Sequence, residues 1–64
     1  MQPHQQRVVD EATELKDKAT KLNSFISGNP VFSTLTPLQQ GLLKAQVGAM
    51  NSYLEILNLR IASF

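Results

Sequence analysis

Residues 46–60, QVGAMNSYLEILNLR, carry three kinds of position at once. Gln46, Tyr53 and Arg60 form a polar row at heptad spacing. Apolar residues run on both sides of it, and their arrangement decides the fold. With Leu43 as origin and about 100° per residue, Val47, Met50, Leu54, Leu57 and Ile61 fall within about 40° of it. Leu38, Leu42, Ala45, Ala49, Ile56 and Leu59 form a second arc centred roughly 140° away, and the polar row lies between the arcs. Lys44, Asn51, Glu55 and Asn58 mark a polar side that takes less than half the circumference. Gly48 falls on that side, and its position alone assigns it no function.

This pattern predicts one long helix. It starts at Thr36, a good N-cap, with Pro37 in the first helical position and Gln39 in the third slot of a capping box. Only Gly41 and Gly48 weaken it before about residue 62, by about 1 kcal/mol each relative to alanine.

Upstream, apolar residues at 8, 12, 15, 19, 22 and 26 alternate in steps of four and three, a single helical seam. Pro3 is tolerated at the helix start, and SGNP ends the helix, with Gly28 suited to a left-handed cap and Pro30 blocking continuation. Arg7 with Glu11, and Glu14 with Lys18, are spaced for ion pairs across one turn. Helix one is thus expected over about 4–27, a linker over 28–36 and helix two over about 37–62. Val31, Phe32 and Leu35 are too apolar for a solvated linker and are expected to fold back as a plug over the open end of the hairpin, Phe32 as a core residue. Two helices of matched length joined by a short linker form an antiparallel hairpin.

At 64 residues the chain is one small domain, whose core barely offsets its conformational entropy. Without cysteine, disulfides are excluded, and the lone His4 near the start of the chain is a poor beginning for a zinc site. Oligomerisation remains as the source of stability. Helix one, with one narrow seam, covers only one arc of helix two, and monomers seldom leave the other in water. The expected fold class is therefore all-α: an antiparallel two-helix hairpin assembling into a homo-oligomeric helical bundle, most simply a two-fold four-helix bundle. A docking groove for a different protein is the alternative use of the second arc.

A net charge of +1 does not mark a DNA binder, no stretch is long and apolar enough for a membrane, and MQPHQQRVVDE lacks the signature of a signal peptide. The expectation is a cytoplasmic protein with no DNA or membrane partner. No nucleophile–base set, glycine-rich phosphate loop or metal cluster points to an enzyme, and no cofactor is implied.

Two readings of the polar row stand. In one, Arg7, Glu11, Lys18, Gln46, Tyr53 and Arg60 are boundary residues, with Glu11 bridging Arg7 and Arg60 to fix register. In the other, Arg7, Lys18 and Arg60 hold an anion, Tyr53, Phe25 or His4 stacks on a base, and Gln46 reads a base edge.

RVVDEATELKDKATKLNSFI, Phe32 and Leu35, and LLKAQVGAMNSYLEILNLRI resemble a family of small bacteriophage proteins related to a crAss-like phage protein. The shared places are Arg7, Val8, Glu11, Leu15, Lys18, Leu22, Phe25 and Ile26, then Leu42, Leu43, Gln46, Met50, Tyr53, Ile56, Leu57, Arg60 and Ile61. That family is similar in size and hairpin build to phage anti-CBASS sponges. These are helical oligomers that bind cyclic di- and trinucleotide signals and withhold them from host immune effectors. The resemblance implies a phage anti-defence protein in the infected cell's cytoplasm. It would sequester, without turnover, a cyclic oligonucleotide or a related cyclic ADP-ribose signal. Sponges contact ligand through an aromatic near the N-terminus and a lysine on the first long helix. His4, where a tyrosine is expected, and Lys18 stand in those places. The alternative is a helical adaptor that binds a host protein through its spare apolar face.

Overall fold

The computed structural model describes residues 1–64 and is entirely helical: α1 spans Pro3–Gly28, a short 3-10 helix spans Pro30–Thr34, and α2 spans Pro37–Ala62. Each long helix has 26 residues, about 39 Å at 1.5 Å per residue. They lie side by side in a rod of 46 × 15 × 13 Å. Val8 and Ala12 near the start of α1 pack on Leu57 near the end of α2, which makes the hairpin antiparallel.

Local chemistry explains each boundary. At the start of α2 the Gln39 N–H donates to Thr36 Oγ1 at 3.2 Å and the Thr36 N–H donates to Gln39 Oε1 at 3.0 Å, a reciprocal capping box. Replacing Thr36 with alanine removes one half of it and is expected to cost about 1 kcal/mol, measurable as a lower urea midpoint with unchanged slope. At the start of α1, Gln5 Oε1 accepts from the Gln2 N–H at 2.9 Å.

The end of α1 differs from the sequence expectation. Gly28 remains helical, and no glycine has positive φ. Asn29 takes an extended conformation (φ −88°, ψ 125°) because the residue before a proline is pushed out of the helical region. Its side chain then accepts from the Val31 N–H at 2.9 Å, starting the 3-10 helix.

The connection folds back in part. Phe32 and Leu35 are half-buried, whereas Val31 is exposed and takes no part in a plug. Phe32 is an edge residue rather than a core one. It meets Phe25 edge-to-face, with centroids 6.1 Å apart at 83°, and the Lys44 ammonium lies 5.9 Å from its ring centre. Gln40 holds the connection down, its amide donating to the carbonyls of both Phe32 and Leu35 at 3.1 Å.

Fully enclosed packing is scarce. Val8, Ala12, Ala19 and Leu57 are the only buried residues, and Leu57 alone among large side chains is wholly inaccessible. Leu15, Leu54 and Ile61 close around Val8, Ala12 and Leu57. The arc of α2 that faces α1 is the one running from Leu43 to Ile61, each member of which is half-buried or buried.

Candidate functional site: an exposed stripe and its polar border

The second apolar arc of α2 lies bare. Leu38, Leu42, Ile56 and Leu59 expose 56–72 % of their surface, and Ala45 and Ala49 between them are exposed as well. One helix of a hairpin has a contact width of about one seam, so α1 covers the Leu43–Ile61 arc and cannot reach round to the second. The chain's accessible surface of 4709 Å² exceeds by several hundred Å² the roughly 4,100 Å² expected of a compact monomer of this mass.

The polar row borders this stripe. Gln46 and Arg60 are exposed, as is Tyr53 at 43 %. The two flanks of the hairpin can be told apart from what lines them. Along one flank, shallow grooves of about 330 and 240 Å³ are lined by Lys16, Thr20 and Asn23 with Asn51, and by Val9 and Thr13 with Asn58. Arg7, Glu11 and Lys18 sit on the other side of the α1 seam, and Gln46, Tyr53 and Arg60 on the other side of the α2 seam. They therefore share the opposite flank. The packing of Val8 and Ala12 on Leu57 sets the register. It brings Arg7 level with the last turn of α2, near Arg60, and Lys18 level with the turn between Met50 and Tyr53. His4 is exposed in the first turn of α1, beyond the buried cluster.

Nothing within one chain ties these groups together. Apart from a long contact from the Gln46 amide to Met50 Sδ at 3.9 Å, none of the six side chains makes a hydrogen bond or ion pair. The Arg7–Glu11 and Glu14–Lys18 pairs expected from spacing do not form, and Glu11 does not bridge to Arg60. The single salt bridge joins Asp17 and Lys21 at 2.9 Å on the exposed face. Such pairs contribute only about 0.3–0.5 kcal/mol, too little to fix long solvated side chains against their own entropy. None of the concavities of the chain includes His4, Arg7, Lys18, Gln46, Tyr53 or Arg60. Arg7, Glu11, Lys18, Gln46, Tyr53 and Arg60 are brought to one flank and left open there, and His4 stays exposed in the first turn.

The far flank was not foreseen from the sequence: Lys16 and Leu54 line both of its grooves, with Ala19 and Asn51 in one and Ala12 and Asn58 in the other. Its signal was present: alanine at 12 and 19 lets the helices approach, so polar residues beside them line a furrow rather than a ridge. No group of acidic residues and histidine lies close enough to hold a metal ion, and no helix is long and apolar enough to cross a membrane.

These features define the class: a small all-helical hairpin with an exposed apolar stripe along its second long helix. The chain belongs to the Sequestin family, whose model it matches over residues 2–63. The family name denotes sequestration, in keeping with a protein that binds without turnover. No curated protein and no solved structure matches the chain.

Proposed function

We propose that this protein is a phage anti-defence sponge: a homo-oligomer that withholds a cyclic nucleotide immune signal from its host effector. The signal is a CBASS-type cyclic oligonucleotide or a cyclic ADP-ribose relative. Arg7, Lys18 and Arg60 supply cationic donors for phosphate, Tyr53 and His4 supply faces for stacking, and Gln46 supplies a donor and acceptor for a base edge. The observation that carries the reading is the bare apolar stripe of α2 with an unpaired polar row along its edge. Association through the stripe would cover the apolar surface and enclose the row in one step. Sequestration requires tight binding and no chemistry, and the family name fits that demand.

A ligand that binds only the folded form stabilises it by about 2.7 kcal/mol at a hundredfold excess over Kd. For a domain of this size that raises Tm by more than about 10 °C. A thermal-shift screen across cyclic dinucleotides, cyclic trinucleotides and cyclic ADP-ribose isomers is expected to return such a rise for one class. Lys18→Ala and Arg60→Ala, each deleting a charged hydrogen-bond donor, should weaken that ligand roughly 10- to 100-fold with assembly intact. A flat response to every nucleotide would overturn the reading and favour a helical adaptor for a host protein.

A further inference from the structure

The cationic flank has a carboxylate in its midst. On the wheel Glu11 lies about 60° from the centre of the α1 seam, against about 80° for Lys18 and about 100° for Arg7. Of these it therefore stands nearest the cleft between the helices. The packing of Val8 and Ala12 on Leu57 sets Glu11 level with the Leu57 turn. Arg60 then lies about 4.5 Å further along the rod and Tyr53 about 6 Å back, at 1.5 Å per residue. In order along the flank come Arg7 with Arg60, Glu11, Tyr53 and Lys18. Glu11 is exposed, and it makes no salt bridge, although Arg7 is one turn back on its own helix. Nor does helix formation require it, since glutamine or lysine serves a helix about as well. Nothing in the hairpin uses its charge.

A site for phosphate alone loses by such a group, because like charges a few ångströms apart repel. A carboxylate is suited to a different contact. Ionised, it only accepts hydrogen bonds, and its two oxygens take two neighbouring donors at once. Between an arginine pair and an aromatic ring, it fits a ligand whose phosphate lies beside adjacent donors. Two groups of nucleotides present them: the N1–H and N2–H edge of guanine, and the free cis-diol of a ribose. Adenine sets its amino donor beside a ring nitrogen whose lone pair would face the carboxylate. We infer that Glu11 is the specificity-determining residue of this flank: its carboxylate accepts a pair of adjacent donors from the bound nucleotide while Arg7 and Arg60 hold the phosphate. A nucleotide without that pair leaves the carboxylate unsatisfied and is rejected. This rests on the sequestration reading and adds to it the group that chooses among nucleotides.

Calorimetric titration of the full chain with cyclic di-GMP, cyclic di-IMP, cyclic di-AMP, cyclic tri-AMP and cyclic ADP-ribose tests this and separates the two donor groups. Guanine recognition predicts that cyclic di-GMP binds at least about tenfold tighter than cyclic di-AMP or cyclic di-IMP, which lacks only the amino group. Diol recognition predicts the same margin for cyclic ADP-ribose, because a ribose of a cyclic dinucleotide has a hydroxyl tied up in the phosphodiester. In either case Glu11→Gln keeps the side chain's shape and loses its charge. It should weaken the preferred ligand roughly 10- to 100-fold and leave the others nearly unchanged. Glu14→Gln removes the same charge farther round α1, about 120° from the seam centre, and should move no affinity noticeably. Tighter binding of every ligand by Glu11→Gln would show a bystander that repels phosphate. Equal weakening of every ligand would show a structural defect, and equal effects of the two variants would show net charge alone. Each of these overturns the inference with sequestration intact, as does equal affinity of the parent for all five or a preference for cyclic di-AMP or cyclic tri-AMP. Binding of none of these nucleotides removes sequestration and the inference together.

Discussion

Leu57→Ala is expected to cost about 3 kcal/mol, within the range of 2–5 for emptying a buried leucine site. Leu57 is the one large side chain with no exposed surface, and Val8 and Ala12 have no other buried partner in their cluster. A folded chain of this length holds only about 3–10 kcal/mol in total. The variant should therefore lose most of its helical circular dichroism at low micromolar concentration and recover part of it as concentration rises, if association supplies the missing stability. Leu59→Ala, two residues on and 65 % exposed, is the control. It should leave the hairpin's own stability within about 0.5 kcal/mol of the parent. Equal losses from the two variants would mean that the stripe and the seam have been assigned to the wrong sides of α2.

Ile56→Asp reverses that pattern. Ile56 is 56 % exposed in the hairpin, so a carboxylate there stays hydrated and the isolated chain is barely affected. In a self-associated form it would be buried without a counter-charge, which costs roughly 3–5 kcal/mol. Dimerisation is expected to weaken by more than about 100-fold, seen by sedimentation as a shift to monomer at micromolar concentration, and ligand capture should fall with it. A variant that still sediments with the parent would exclude this face as the contact between copies.

The helices could be read from the chain because their signals are local and strong. Thr36, Pro37 and Gln39 form the expected capping box, and the Leu43–Ile61 seam faces α1 as its spacing requires. What escaped reading depended on small differences between neighbours. Gly28 offered a left-handed cap, but the constraint that Pro30 places on Asn29 ended the helix without one. Arg7–Glu11 and Glu14–Lys18 had the same spacing as Asp17–Lys21, and only the last pair formed; spacing permits such contacts on a wet surface without enforcing them. Gln40 lies in a stretch whose pattern gives no sign that its amide would bind two carbonyls eight and five residues back. The candidate site was legible as a row, since the wheel placed Gln46, Tyr53 and Arg60 together. Its enclosure was not, because a single hairpin leaves all three in water.

The tight cluster of Val8, Ala12 and Leu57 sits at the end of the rod remote from the connection, where the linked residues are far apart along the chain. Loop-closure entropy predicts that pairs near the connection, such as Phe25 with Phe32, form first and that the distal clasp shuts last. Until it shuts, the two arms are splayed and both greasy arcs of α2 are uncovered together. A nascent copy thus meets its siblings with a choice between closing on itself and trading arms, and the firmness of that distal clasp decides whether the product is discrete or entangled.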